Sequence, residues 1–65
     1  MIITVNGETV AVTAGRLSEI LEELGYGGEK VATAVNETFV PAAARAELAL
    51  APGDRLEIVA PRQGG

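Results

Sequence analysis

Ile2-Ile3-Thr4-Val5-Asn6-Gly7-Glu8-Thr9-Val10-Ala11-Val12-Thr13 is the stretch from which the rest of the chain can be read. Two β-rich runs, Ile2 to Val5 and Thr9 to Thr13, flank the dipeptide Asn6-Gly7. Asn-Gly is the strongest short hairpin signal, because a type I′ turn needs positive φ at both central positions. A hairpin therefore opens the chain, with Val10 and Val12 on one face of its second strand. After Ala14-Gly15 the period changes. Leu17, Ile20, Leu21 and Leu24 fall at i, i+3, i+4 and i+7, the apolar stripe of a helix over residues 16–24. Arg16, Ser18, Glu19, Glu22 and Glu23 take its other face. Thr13 and Gly15 compete for the N-cap, and Gly25 is a natural C′ residue.

Downstream, Val31-Ala32-Thr33-Ala34-Val35 reads as a third strand. Asn36-Glu37 follows as a turn, and Thr38-Phe39-Val40 as a short returning strand closed by Pro41. The alanine-rich segment from Ala42 to Leu50 is expected to be a helical turn passing into a loop. Pro52-Gly53-Asp54 is a turn set by its own chemistry: Pro fixes φ, Gly supplies positive φ and Asp bonds the local backbone. Arg55 to Ala60 then alternates with period two, Leu56, Ile58 and Ala60 on one face, and Pro61 ends the strand. No internal repeat and no linker is visible. The order of elements is α+β: one amphipathic helix packed on one face of a mixed sheet of four or five strands. Residues 1–61 are expected to form a single domain and residues 62–65 a flexible tail.

Composition closes most catalytic routes. The 65 residues include no Cys and no His, which removes thiolate nucleophiles, zinc knuckles, iron–sulfur ligation and the usual neutral-pH acid/base. Ser18 is the only serine, and no His is there to form a triad around it. The apolar fraction is 48%, much of it alanine, enough for one thin two-layer core and too little to wall off a deep pocket. No enzyme active site and no metal site are expected. A net charge of −4 is the wrong sign for a nucleic-acid binder. No run reaches the ~18 apolar residues of a membrane span, and no basic, apolar leader precedes the hairpin. A soluble cytoplasmic protein is expected.

Three clusters invite chemistry. Gly25, Gly27 and Gly28 suggest a phosphate loop, but phosphate wants a helix N-terminus and these follow a helix C-terminus. Glu19, Glu22 and Glu23 share a helix face that reads as solvated acidic surface, with docking of a basic partner as the minority reading. Phe39 is assigned to the core; a contact surface, with Leu48 and Leu50 or with Val59, is the alternative. The terminal pair Gly64-Gly65 differs from these. It stands on a short tail, Arg62-Gln63-Gly64-Gly65, directly after a strand and a proline stop. Glycines without Cβ accept nearly any φ/ψ, so this tail could thread a narrow channel in another protein and present the Gly65 carboxylate there. An adenylating partner could convert that carboxylate to an acyl-AMP anhydride, open to a sulfur or nitrogen nucleophile. Such a role asks the carrier for no acid, base or nucleophile of its own.

With Ile3-Thr4-Val5-Asn6-Gly7-Glu8, Leu21-Glu22-Glu23-Leu24-Gly25, Val31 to Asn36 leading to Val40-Pro41, Gly53 to Val59, and Gln63-Gly64-Gly65 in that order, the chain resembles the ubiquitin-like β-grasp sulfur carriers. The closest resemblance is to the thiamine-biosynthesis, ThiS-type branch. It departs where the family often carries Arg directly after Val-Pro: here Ala42-Ala43-Ala44 intervenes before Arg45. The resemblance implies a β-grasp fold with the Leu56–Ala60 strand central, beside and parallel to the first strand. It implies that an E1-like adenylyltransferase uses ATP and Mg²⁺ to adenylate Gly65, the carrier itself binding no cofactor. A cysteine-desulfurase relay then supplies sulfur to give a C-terminal thiocarboxylate, and thiazole synthase consumes it. Molybdopterin synthase small subunit and tRNA-thiolation carrier are the alternatives within the same chemistry. A plain interaction module and an isopeptide-forming modifier lie outside it.

Overall fold

Asn6 and Gly7 adopt φ of 52° and 87°, the two positive values a type I′ turn demands. They join β1 (Ile2–Val5) to β2 (Glu8–Ala11) in antiparallel register, Ile3 opposite Val10 and Val5 opposite Glu8. The computed structural model describes residues 1–27 and 30–60. A second hairpin repeats the first: β3 (Ala32–Val35) and β4 (Thr38–Val40) are antiparallel across Asn36 and Glu37, with φ of 51° and 71°. β5 (Arg55–Val59) lies between the two hairpins, parallel to β1 and antiparallel to β3. The strand order is β2-β1-β5-β3-β4. With one α-helix over one face, this is the β-grasp arrangement.

The helix, α1, spans Leu17–Glu23 and buries Leu17, Ile20 and Leu21 against the sheet. Its start corrects the expectation, since neither Thr13 nor Gly15 caps it. Arg16 occupies the N-cap in an extended conformation and pairs with Ala49. The Leu17 amide donates to the Leu48 carbonyl and the Leu50 amide to the Gly15 carbonyl, both at 2.9 Å. Another segment of chain thus satisfies a first-turn donor that a side chain would otherwise have to satisfy. The helix end is as read. Gly25, at φ 95°, lets its own amide reach the Glu22 carbonyl while the Tyr26 amide reaches that of Leu21, the two bonds of a Schellman motif.

The same pairing explains the alanine-rich stretch. Ala42–Glu47 is a 3₁₀ helix, after which Leu48 to Leu50 are drawn straight beside the start of α1. Arg45, carried on that 3₁₀ helix, donates through Nε to the Thr33 hydroxyl and through its guanidinium to the Val31 carbonyl. Thr33 is the buried polar side chain of the core, and its hydroxyl donates to the Val40 carbonyl at 2.8 Å. Arg45 therefore ties the 3₁₀ helix to the second hairpin from inside.

Around these contacts the core collects Ile3, Val12, Val40, Leu50, Leu56 and Ile58 with the three helix residues. Leu56 and Ile58 are buried as the period-two reading requires, but Ala60, beyond the last paired residue, is exposed.

Candidate functional site

Arg62, Gln63, Gly64 and Gly65, the expected working end of the chain, lie outside the described residues, as does Pro61. The site is therefore built from what leads up to them: the end of β5 and the sheet face that α1 leaves open.

On a strand, alternate residues face opposite ways. Leu56 and Ile58 face the helix, so Arg55, Glu57 and Val59 face out. Register carries this across the sheet. Ala32 lies opposite Val59 and Ala34 opposite Glu57, while Phe39 lies opposite Ala34. Phe39, Ala34, Ala32 and Val59 thus form an apolar patch interrupted by Glu57, with a hollow of about 220 Å³ among them. Phe39 is 65% exposed and Val59 63%. The assignment of Phe39 to the core is thereby corrected. Once Val40 turns inward to join the core, its neighbour must turn outward.

Phe39 and Val59 come together on this face through the intervening β3. Leu50 does not join them, being buried in the core. Leu48 is half-buried and shares with Phe39 a separate groove of about 270 Å³ beside the 3₁₀ helix.

Both ends of β5 are held by asparagine side chains. At its start, Asn36 Oδ1 accepts from the Arg55 amide at 3.0 Å, beside a backbone bond from the Asn36 N–H to the Arg55 carbonyl at 2.8 Å. Near its end, Asn6 Oδ1 accepts from the Ile58 amide at 2.8 Å while Asn6 Nδ2 donates to the Ile58 carbonyl at 3.2 Å. Sequence reasoning gave both asparagines only a turn role and saw no repeat. The available signal was the recurrence of Val-Asn at residues 5–6 and 35–36, the point where each hairpin leaves β5.

Two carboxylates complete the electrostatics. Glu23 leaves the acidic helix face and accepts from the Thr13 and Ala14 amides at 2.9–3.1 Å. Those bonds, to Ala14 first and then Thr13, favour the ionised form and hold its pKa below the ordinary carboxylate value. Asp54 is lowered likewise, by the Ala51 amide and then by Asn36 Nδ2. Glu23 is therefore a loop fastener, and the solvated acidic face narrows to Glu19 and Glu22. Arg55 and Glu37 approach to 3.7 Å, both exposed, a pair of small energetic consequence.

The ThiS family model matches residues 2–65, the described fold and the segment after it together. The chain belongs to the ThiS family. Among solved structures it is similar to the crystal structure of a thiamine biosynthesis protein (ThiS) from Geobacter metallireducens. The two share 26% sequence identity over 100% of each chain, with a TM-score of 0.83. Comparison with the curated proteins finds no significant match.

After Val40-Pro41 the 3₁₀ helix carries Arg45, whose half-buried side chain bonds the Thr33 hydroxyl and the Val31 carbonyl. Among the described residues, no group of three or more Asp or Glu side chains is placed to hold a metal ion. No helix among them is long and apolar enough to cross a membrane.

Proposed function

We propose that this ThiS-family chain is a sulfur carrier of thiamine biosynthesis and that the carboxyl group of Gly65 carries the sulfur. The observation that supports the reading best is the family match, which runs through the whole sheet and on to Gln63-Gly64-Gly65. The similar Geobacter metallireducens structure is a thiamine biosynthesis protein, in keeping with that branch over the molybdopterin and tRNA-thiolation branches. The carrier acts as a co-substrate in the cytoplasm and not as an enzyme; residues 1–61 are its body and 62–65 its working tail.

In the proposed cycle an E1-like adenylyltransferase brings ATP and Mg²⁺. The Gly65 carboxylate attacks the α-phosphorus and expels pyrophosphate, leaving an acyl adenylate. The outer sulfur of a persulfide on a cysteine-desulfurase relay attacks the acyl adenylate and expels AMP. A thiol reductant then cleaves the S–S bond of the acyl persulfide, and the released thiocarboxylate donates its sulfur to thiazole synthase. Each partner has to accept the tail while holding the body. Phe39 and Val59 suit that grip, since they are large, exposed and apolar beside the strand that leads into residues 61–65. Arg62, Gln63 and Gly64 fill the channel behind the reacting carboxyl group.

The test is intact mass after incubation with the activating enzyme, ATP and a sulfur source. The expected gain is the difference between one sulfur and one oxygen, localised to the C-terminal peptide. A protein lacking Gly64 and Gly65 should gain nothing and should fail to support growth without thiamine. Support of such growth by the truncated chain refutes the carrier reading. Recovery of molybdopterin synthase large subunit in place of thiazole synthase from cells moves the protein to that branch. Heavier conjugates on a denaturing gel identify a modifier instead.

A further inference from the structure

β5 is longer than the strand that accompanies it. β1 is hydrogen-bonded to β5 by the Thr4 amide on the Asp54 carbonyl and the Asn6 amide on the Leu56 carbonyl, and then the chain turns away through Gly7. The next β5 residue facing that side is Ile58, whose amide and carbonyl would be left without a strand beside them. The Asn6 carboxamide fills the gap. One oxygen acceptor and one N–H donor on an amide side chain reproduce the pair offered by a peptide unit, and both are used, on Ile58. The contact joins residues 52 apart in sequence and lies immediately before the exposed Val59 and the segment 61–65.

We infer that Asn6 is a positioning residue for loading of the tail: its carboxamide extends the sheet by one rung and fixes the Ile58 end of β5, the strand that precedes residues 61–65, before the activating enzyme docks. This rests on the carrier reading above. Ordering a loose strand end on docking opposes binding, so a strand end already fixed lowers the amount of carrier needed for half-maximal loading. The chemistry at Gly65, beyond the clamp, is untouched. Asn36 supplies the internal comparison. Its Oδ1 likewise accepts from a β5 amide, that of Arg55 at the end remote from the tail, while its Nδ2 donates to Asp54 Oδ1.

The test uses the full chain with its activating enzyme and compares wild type with Asn6→Gly and Asn36→Gly. Both asparagines have positive φ, so glycine keeps each turn unstrained and removes only the side-chain clamp. Asn6→Asp, which keeps the acceptor for the Ile58 amide and loses the donor, serves as a milder second variant. The KM for carrier in the loading reaction should rise about tenfold in Asn6→Gly, the scale of two lost hydrogen bonds, and by less in Asn6→Asp, with kcat unchanged. Asn36→Gly should leave KM at the wild-type value even where it lowers the melting temperature as much. Amide exchange at Ile58 should accelerate in Asn6→Gly alone. An unchanged KM in both Asn6 variants, or an equal rise in Asn36→Gly, overturns the inference. So does Ile58 exchange that ignores Asn6→Gly. Wild-type protein that gains no sulfur at all overturns the carrier reading instead, a result visible before any variant is made.

Discussion

The two hairpins are near copies that differ in what closes their turns and in what lies beneath them. Both leave β5 through a Val-Asn pair, and both central turn residues have positive φ in each. The first turn places Gly7 at the second central position, where glycine is at ease. The second places Glu37 there at φ 71°, a region that side chains with a Cβ adopt at some cost. Beneath the first hairpin the contacts are aliphatic. Beneath the second a threonine hydroxyl is buried and tied to Val40 and Arg45. One plan for the backbone thus tolerates two chemistries, provided each buried polar atom finds a partner.

The comparison can be broken most forcefully at Thr33. Thr33→Val preserves shape but leaves Arg45 Nε without its acceptor and the Val40 carbonyl without this donor. A loss of about 1–3 kcal/mol in urea-unfolding stability is expected, with faster amide exchange in β3 and β4 than in β1 and β2. Equal loosening of both hairpins would show that the hydroxyl does not distinguish them.

A smaller effect of opposite sign is expected at the turn. Glu37→Gly should raise stability by about 0.5–1 kcal/mol, relief of the left-handed strain outweighing the added freedom of the unfolded chain and the loss of an exposed ion pair. Denaturant midpoints of the variant and wild type decide it, and a destabilised variant would mean that Glu37 is held for its side chain.

The smallest effect is the pH dependence, and it separates the hairpins once more. Glu23 fastens the loop after the first, while Asp54 binds Asn36 of the second. Both have folded pKa values below their unfolded ones. Each therefore contributes stability that is fully present above an unfolded pKa of about 4 and disappears as pH falls through the lower folded value. Melting temperature should decline in acid. Glu23→Gln should flatten one part of that decline and Asp54→Asn another, and curves parallel to wild type would remove both groups from the account.

Much of this was legible beforehand because some residues admit few conformations. Asn6-Gly7, Gly25 and Pro52-Gly53-Asp54 each name a backbone geometry locally, and the stripe from Leu17 to Leu24 names a face. Where local chemistry is permissive, reading stopped. Alanine from 42 to 46 suits several structures, and only pairing of Leu48–Leu50 with the start of α1 chose among them. A three-residue strand does not reveal which way Phe39 points, since that parity comes from Val40 entering a core shared with β5. The outward face of Val59 was readable because the alternation of β5 runs long enough to fix it. The asparagine clamps were not readable, as their partners stand on a strand far along the chain.

β5 is the last strand in order and the middle one in space, and each hairpin joins the sheet by pairing with it. A ribosome releases the first hairpin, then the helix, then the second, and none of them can be sewn together until residues 55–59 emerge. The segment from residue 61 onward follows the very piece that closes the molecule. Under the proposed carrier role, loading would follow folding, because the strand that precedes residues 61–65 is also the one that closes the sheet.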